Sequence, residues 1–175
     1  MKSGEGKKTG PITDFLLEDH RRLEGLLQSA VAQAGTVDQG TYDQFRAGLL
    51  RHIGMEEKIL LPAAQRLRGG EPLSLAAKLR LDHGAIASLL MPPPSAAVIA
   101  TIRAVLKVHN TIEEGPRGLY ETCDELVGSE AAQLLAKLQA APELAVLPCS
   151  DSPAVMPAVQ RALERAGYDF QKDTA

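Results

Sequence analysis

Four stretches of the chain carry apolar residues at intervals of three and four positions, and a glycine or a proline closes each stretch. This interval places the apolar side chains on one face of an α-helix, and the glycines and prolines are typical of helix ends. Helices with one apolar face bury it against one another. We therefore predict four packed helices at about 12–34, 41–68, 73–91 and 95–126, the last interrupted at Gly115-Pro116.

The rest of the chain predicts two shorter helices. Residues 129–140 and 157–167 have helical patterns, and a proline-containing linker over 142–153 separates them. We expect an all-α fold, namely an up-down-up-down four-helix bundle with a short C-terminal helical extension. The predicted bundle covers residues 11–127, and the predicted extension, which we expect to stabilise the bundle, covers residues 128–175.

The composition supports packed helices and excludes several classes of partner. Aromatic residues make up only 3% of the chain, so leucine and alanine must form the core, as in helical proteins. The net charge is −3 and the basic residues are scattered, which argues against nucleic-acid binding. Because no apolar run is long enough to span a bilayer, we expect a soluble, cytoplasmic protein. In that compartment Cys123 and Cys149 are expected to be free thiols.

The chain has four histidines, and each predicted bundle helix carries one of them on its apolar face. A polar side chain that faces a core without a partner costs roughly 1–3 kcal/mol. Counting residues from the helix ends at about 1.5 Å per residue brings the four imidazoles to a common level of the bundle. The sequence therefore predicts one polar layer inside the bundle, formed by His20, His52, His83 and His109.

Two of these histidines belong to the same motif, H-x-x-x-E-E, at residues 52–57 and 109–114. Residues four apart share a helix face, so Glu56 and Glu113 point into the same layer as the histidines that precede them. The other two histidines each follow an aspartate, which makes the chain a weak repeat of two helical hairpins. Imidazoles and carboxylates without a thiolate suit a metal site, since coordination removes the cost of burying them.

Four further polar residues lie close to these motifs. Asp19 and Asp82 directly precede a histidine and point about 100° away from it, so we expect them to be solvated at the surface, with support of a metal ligand as the alternative. Glu57 is likewise expected to be a solvated neighbour of Glu56. Tyr120 lies beyond the Gly115-Pro116 interruption, and packing in the core is its expected role, with capping of the pocket as the alternative.

The set of motifs resembles the hemerythrin-like family, the hemerythrin HHE cation-binding domain. The resemblance spans residues 12–126 and rests on Leu17–Leu23, His52–Pro62, Leu81–His83 and His109–Tyr120. It implies a centre of two iron ions with two bridging carboxylates. The implied metal ligands are His20, His52, Glu56, His83, His109 and Glu113.

The chain also departs from the oxygen-carrying members of that family. Those carriers have a fifth histidine one turn from the histidine of the third helix, where this chain has Leu79 and Ala87 on either side of His83. Their last carboxylate follows its histidine by five positions, which keeps Glu114 open as an alternative to Glu113.

These features predict a non-haem di-iron domain that senses, binds or stores oxygen, nitric oxide or iron. The expected partner is a small ligand such as dioxygen, nitric oxide or peroxide. An alternative is a di-iron enzyme with oxidase, peroxidase-like or iron-repair activity, because four histidines leave coordination positions open. A helical interaction bundle without a metal is the third hypothesis.

Overall fold

The computed structural model describes residues 9–172, and within that range the regular structure is entirely helical. This confirms the all-helical prediction for the described residues. The helices are α1 (Pro11–Ala30), α2 (Gln39–Met55), a π-helical turn (Glu56–Leu60), α3 (Leu61–Leu67), α4 (Ala76–Leu89), α5 (Ala96–Glu114), α6 (Leu119–Val127), a 3₁₀ turn (Gly128–Glu130), α7 (Ala131–Gln139) and α8 (Val155–Ala166).

Local chemistry explains most of the helix ends. The Asp38 carboxylate accepts a hydrogen bond from the backbone N–H of Thr41 at 2.7 Å and caps α2. α1 ends at Ala30, four residues earlier than predicted, because the Ala30 carbonyl accepts from the N–H of Asp38 instead of continuing the helix. α5 ends at Glu114, directly before Gly115 and Pro116, as the sequence predicts.

The second predicted helix is not a single α-helix. A π-helical turn separates α2 from α3, and within it the N–H of Leu61 donates to the carbonyl of Glu56, five residues earlier. Pro62 follows at once and has no N–H for the carbonyl four residues before it, so the regular hydrogen-bond ladder is already broken here. The prediction of one continuous helix over 41–68 is therefore wrong at this turn.

The buried apolar residues form two clusters, one on each side of the histidine layer. The first apolar cluster includes Leu23, Leu49, Ile86 and Val105, and the second apolar cluster includes Leu16, Met55 and Leu79. In α1 and α4 the chain runs from the second apolar cluster through the histidine to the first apolar cluster. In α2 and α5 it runs in the opposite sense between the two clusters.

The C-terminal residues pack on the bundle. α8 contacts α4 and buries Val155, Val159 and Leu163 in the first apolar cluster, while α7 contacts α1. The intervening segment is held by Arg46, whose guanidinium donates to the carbonyl of Leu147 at 3.0 Å. The positive φ of Gly167, +85°, ends α8 in the left-handed conformation that glycine adopts readily.

Two sequence expectations concern the surroundings of the protein. Over residues 9–172, none of the helices combines the length and the apolar character that a bilayer crossing requires. Cys123 is buried and Cys149 is partly buried, and both are free thiols.

Candidate metal centre

The structure brings the six candidate ligands together in two overlapping groups. In each group, one nitrogen or oxygen of every residue lies within 4.8 Å of the others. The first of these groups, hereafter called the first cluster, is His20, His52, Glu56 and Glu113. The second cluster is His83, His109, Glu56 and Glu113, so the two glutamates belong to both.

Each shared glutamate directs one oxygen toward each cluster. Glu56 Oε1 lies 3.3 Å from His52 Nε2, and Glu56 Oε2 lies 3.1 Å from His83 Nε2. Glu113 Oε2 lies 3.4 Å from His20 Nε2, and Glu113 Oε1 lies 2.9 Å from His109 Nε2. Both glutamates are fully buried. This is the arrangement that two carboxylates bridging a pair of cations require.

Glu57 and Glu114 occupy an outer position. Glu57 Oε1 lies 2.6 Å from Nδ1 of His83, and Glu114 Oε1 lies 2.5 Å from Nδ1 of His20. The π-helical turn takes more residues per turn than an α-helix, so Glu57 rotates less far from the face of Glu56. The expectation that Glu57 is merely solvated is wrong, because it faces a histidine of the neighbouring helix α4.

The aspartates before the histidines occupy the same kind of position. Asp19 Oδ2 lies 2.8 Å from His52 Nδ1, and Asp82 Oδ2 lies 3.4 Å from His109 Nδ1. Asp82 is fully buried and Asp19 is 8% exposed, so the expectation of surface solvation is wrong for both. The rotation of 100° that turns each aspartate away from its own histidine turns it toward the histidine of the next helix. The repeated Asp-His pair was the signal for this role.

All four imidazoles therefore have a carboxylate on Nδ1 and direct Nε2 inward. A carboxylate that accepts from Nδ1–H fixes the tautomer and orients the ring, which leaves Nε2 as the metal-binding atom. The His20 and His52 rings lie 4.5 Å apart between centroids, and the His83 and His109 rings lie 4.9 Å apart.

Burial and charge act in opposite directions on the imidazoles. Burial lowers the pKa of His52, but the Glu56 carboxylate and the hydrogen bond to Asp19 raise it more, to about 10. Burial likewise lowers the pKa of His83, and the neighbouring carboxylates of Glu113 and Glu56 raise it to about 10. Protonated imidazoles thus balance the buried carboxylates when no other cation does so.

The pKa of His109 follows the same balance, and that of Glu56 mirrors it. Burial lowers the pKa of His109, but the hydrogen bond to Asp82 and the carboxylate of Glu113 raise it to about 9. Burial raises the pKa of Glu56, and the neighbouring His52 overcomes that effect and holds it well below the usual range. The site is therefore a fixed set of anions that binds cations, either protons or metal ions.

The second cluster contains polar atoms without partners. Glu56 Oε2, His83 Nε2 and Glu113 Oε1 are buried, yet none forms a hydrogen bond with any residue that the structure describes. The ion-pair distances between them do not satisfy hydrogen-bond geometry. Buried polar groups are nearly always satisfied, so unpaired atoms that converge on one point fit a bound cation.

Asp82 connects the second cluster to the C-terminal residues. Its Oδ1 accepts from Lys78 Nζ at 2.5 Å, and Lys78 also donates to the carbonyl of Ala166 at 2.7 Å and lies over the ring of Tyr168. The carboxylate that orients His109 is thus itself held by a lysine that the end of α8 restrains.

Tyr120 was expected to pack in the core, with capping of the pocket as the alternative. Its ring is fully buried in the second apolar cluster, as expected. Its hydroxyl, however, donates to Glu56 Oε1 at 2.8 Å and so reaches the candidate site.

Comparison with known proteins gives one match. The family model for the hemerythrin HHE cation binding domain matches residues 12–144, which is most of the chain. The match spans α1 to α7 and therefore every residue of the two clusters. No curated protein and no solved structure matches the chain significantly.

Proposed function

The chain belongs to the hemerythrin HHE cation-binding family, and from this we propose that it binds two iron ions that interact with a small ligand such as dioxygen, nitric oxide or peroxide. In this proposal His20 and His52 hold the first ion, His83 and His109 hold the second, and Glu56 and Glu113 bridge them. The observation that carries the proposal is that both buried glutamates direct one oxygen to each histidine pair.

We also propose that the four helices that carry these residues run up-down-up-down. The support is the alternating order of the two apolar clusters along α1, α2, α4 and α5. Residues 11–127 would then form the metal-binding bundle, and residues 128–175 would form the extension that stabilises α4 and α1. A cytoplasmic location belongs to the same proposal.

The donor set suits iron because imidazoles and carboxylates together bind both its ferrous and ferric forms. The chemistry that iron supplies is reversible one-electron exchange and open positions for a diatomic or peroxide ligand. The residues of this chain would hold the ions, exclude water through the two apolar clusters, and direct each Nε2 toward the ions. With Leu79 and Ala87 flanking His83, the set is smaller than that of the oxygen carriers.

A cavity gives a ligand access to one side of the site. It has a volume of about 450 Å³ and reaches His20, His52 and His109. Its wall is mainly apolar, and the exposed side chains of Arg103 and Lys107 also line it. This volume exceeds that of a diatomic molecule, which favours the second candidate function, a di-iron oxidase or peroxidase with a larger substrate.

The proposal predicts that the protein takes up about two ferrous ions per chain. Protein purified without a metal-affinity tag should be stripped of metal, titrated with Fe(II) under nitrogen, and analysed for bound iron after gel filtration. Exposure to air should then produce absorption bands of an oxo-bridged ferric pair. Retention of one zinc ion or no metal, unchanged by Fe(II), would refute the proposal.

The same sample separates the two candidate functions. A binding or sensing domain should bind nitric oxide or dioxygen once per site and then stop. An enzyme should consume peroxide or oxygen over many turnovers, which an oxygen electrode measures directly.

The carboxylates on Nδ1 predict a graded effect on affinity. Replacing Asp19 by alanine should weaken iron binding about 10- to 100-fold, the usual cost of removing a partner that orients a histidine ligand. Glu18→Ala is the matched control, because it removes the exposed carboxylate next to Asp19 on α1. Competition with a coloured chelator measures both affinities, and equal affinities in the two variants would contradict this role for Asp19.

A further inference from the structure

The Tyr120 hydroxyl contacts all four residues of the first cluster. It is 2.8 Å from Glu56 Oε1, 3.0 Å from Glu113 Oε2, 3.0 Å from His20 Nε2 and 3.2 Å from His52 Nε2. These four are the atoms that the first ion would use. Tyr120 is the second residue of α6, which begins directly after the break at Gly115-Pro116.

Hydrogen bonding alone does not account for these contacts. A phenol has one hydrogen to donate, whereas both neighbouring carboxylate oxygens are acceptors when ionised. One of the contacts to Glu56 and Glu113 therefore brings two oxygens to 3.0 Å or less without a hydrogen between them. A cation shared by the oxygens removes this conflict.

The distances agree with a ligand position around a metal ion. Ligand atoms about 2.1 Å from one ion and at right angles to each other lie about 3.0 Å apart. The hydroxyl lies 2.8–3.2 Å from its four neighbours, and two adjacent pairs among those neighbours are 3.3 and 3.4 Å apart. An oxygen at the position of the ion would be about 2.1 Å from each of them.

We infer that Tyr120 is a fifth protein ligand of the first ion, bound through its phenolate oxygen, and that the second ion has no equivalent. This inference rests on the proposed iron site. When the oxygen–metal bond forms, the phenolic O–H bond breaks and its proton passes to solvent. The second cluster lacks such a contact, because the buried polar atoms of Glu56, His83 and Glu113 on that side have no hydrogen-bond partner in the described residues.

The inference makes the two ions chemically different. A phenolate is an anionic donor, so it stabilises the ferric state of the first ion relative to the second. It also adds a phenolate-to-iron(III) charge-transfer band in the visible range, which a site of imidazoles and carboxylates does not have.

The test compares two tyrosine variants after loading with iron and oxidation in air. Tyr120→Phe should abolish the phenolate charge-transfer band and its resonance Raman modes while about two ions per chain remain bound. Tyr42→Phe is the matched control, because it also removes a fully buried hydroxyl, but one in the first apolar cluster. The control should keep the band. A band of unchanged intensity in Tyr120→Phe, or its absence from the unaltered protein that holds two ions, would overturn the inference.

A second measurement uses the unaltered protein, so it still tests the inference if Tyr120→Phe fails to fold. Ring-deuterated tyrosine incorporated into the unaltered protein should shift the Raman modes enhanced by excitation in the visible band. Unshifted modes would overturn the inference. If the unaltered protein holds no iron, the proposed function itself fails. If it holds two ions and shows no tyrosine-dependent mode, the role of Tyr120 alone fails.

Discussion

Replacing Glu113 by alanine should abolish binding of both iron ions, whereas replacing Glu114 should leave close to the full complement. Glu113 is fully buried and approaches His20 Nε2 and His109 Nε2 with different oxygens. Its removal takes a ligand from both ions, so the loss should exceed the roughly 10- to 100-fold cost of removing an outer partner. Glu114 contacts only the outer nitrogen of His20, and its side chain is 35% exposed.

The measurement is iron per chain after anaerobic loading, together with the oxo-bridged absorption bands after oxidation. The matched pair Glu56→Ala and Glu57→Ala should behave in the same way, because Glu57 contacts the outer nitrogen of His83. Loss of iron in Glu114→Ala with full retention in Glu113→Ala would place the bridging carboxylate five residues after its histidine, as in the oxygen carriers.

The metal-free protein should lose stability as the pH rises from about 7 to about 10, and iron should remove that loss. The folded-state pKa values are about 10 for His52, about 10 for His83 and about 9 for His109, against 6.5 for an unperturbed histidine. Groups with a raised folded-state pKa stabilise the protein fully below the unfolded value, and the contribution disappears as the pH rises through the folded value. Each extra proton held by the folded state contributes a slope of about 1.4 kcal/mol per pH unit.

Iron should remove this dependence because it binds the neutral imidazoles and releases their protons. Denaturant unfolding of metal-free and iron-loaded protein at pH 6.5, 8 and 9.5, all roughly within the titration range of these histidines, measures the difference in unfolding free energy. The difference should widen with pH. Metal-free protein that is equally stable at the lowest and highest pH would show that these imidazoles are not protonated in the folded state.

The amino-acid sequence was sufficient for the helical fold and for the choice of candidate ligands. The three- and four-residue spacing of leucines determines which helix faces are buried, and that information is local. Two of the histidines and the glutamate four residues after each lie on such a face, so His52 with Glu56, and His109 with Glu113, could be selected without a structure. The role of these residues as iron ligands stays a prediction that the loading experiments test.

The outer carboxylates and Tyr120 depended on contacts between helices, which local spacing does not contain. Asp19 and Asp82 point away from the histidines beside them, and only the packing of α1 on α2 and of α4 on α5 brings them to His52 and His109. Tyr120 reaches the site because the chain breaks at Gly115-Pro116 and α6 begins close to Glu113. The sequence sets the direction of a side chain relative to its own helix, but the position of the neighbouring helix determines what that side chain meets.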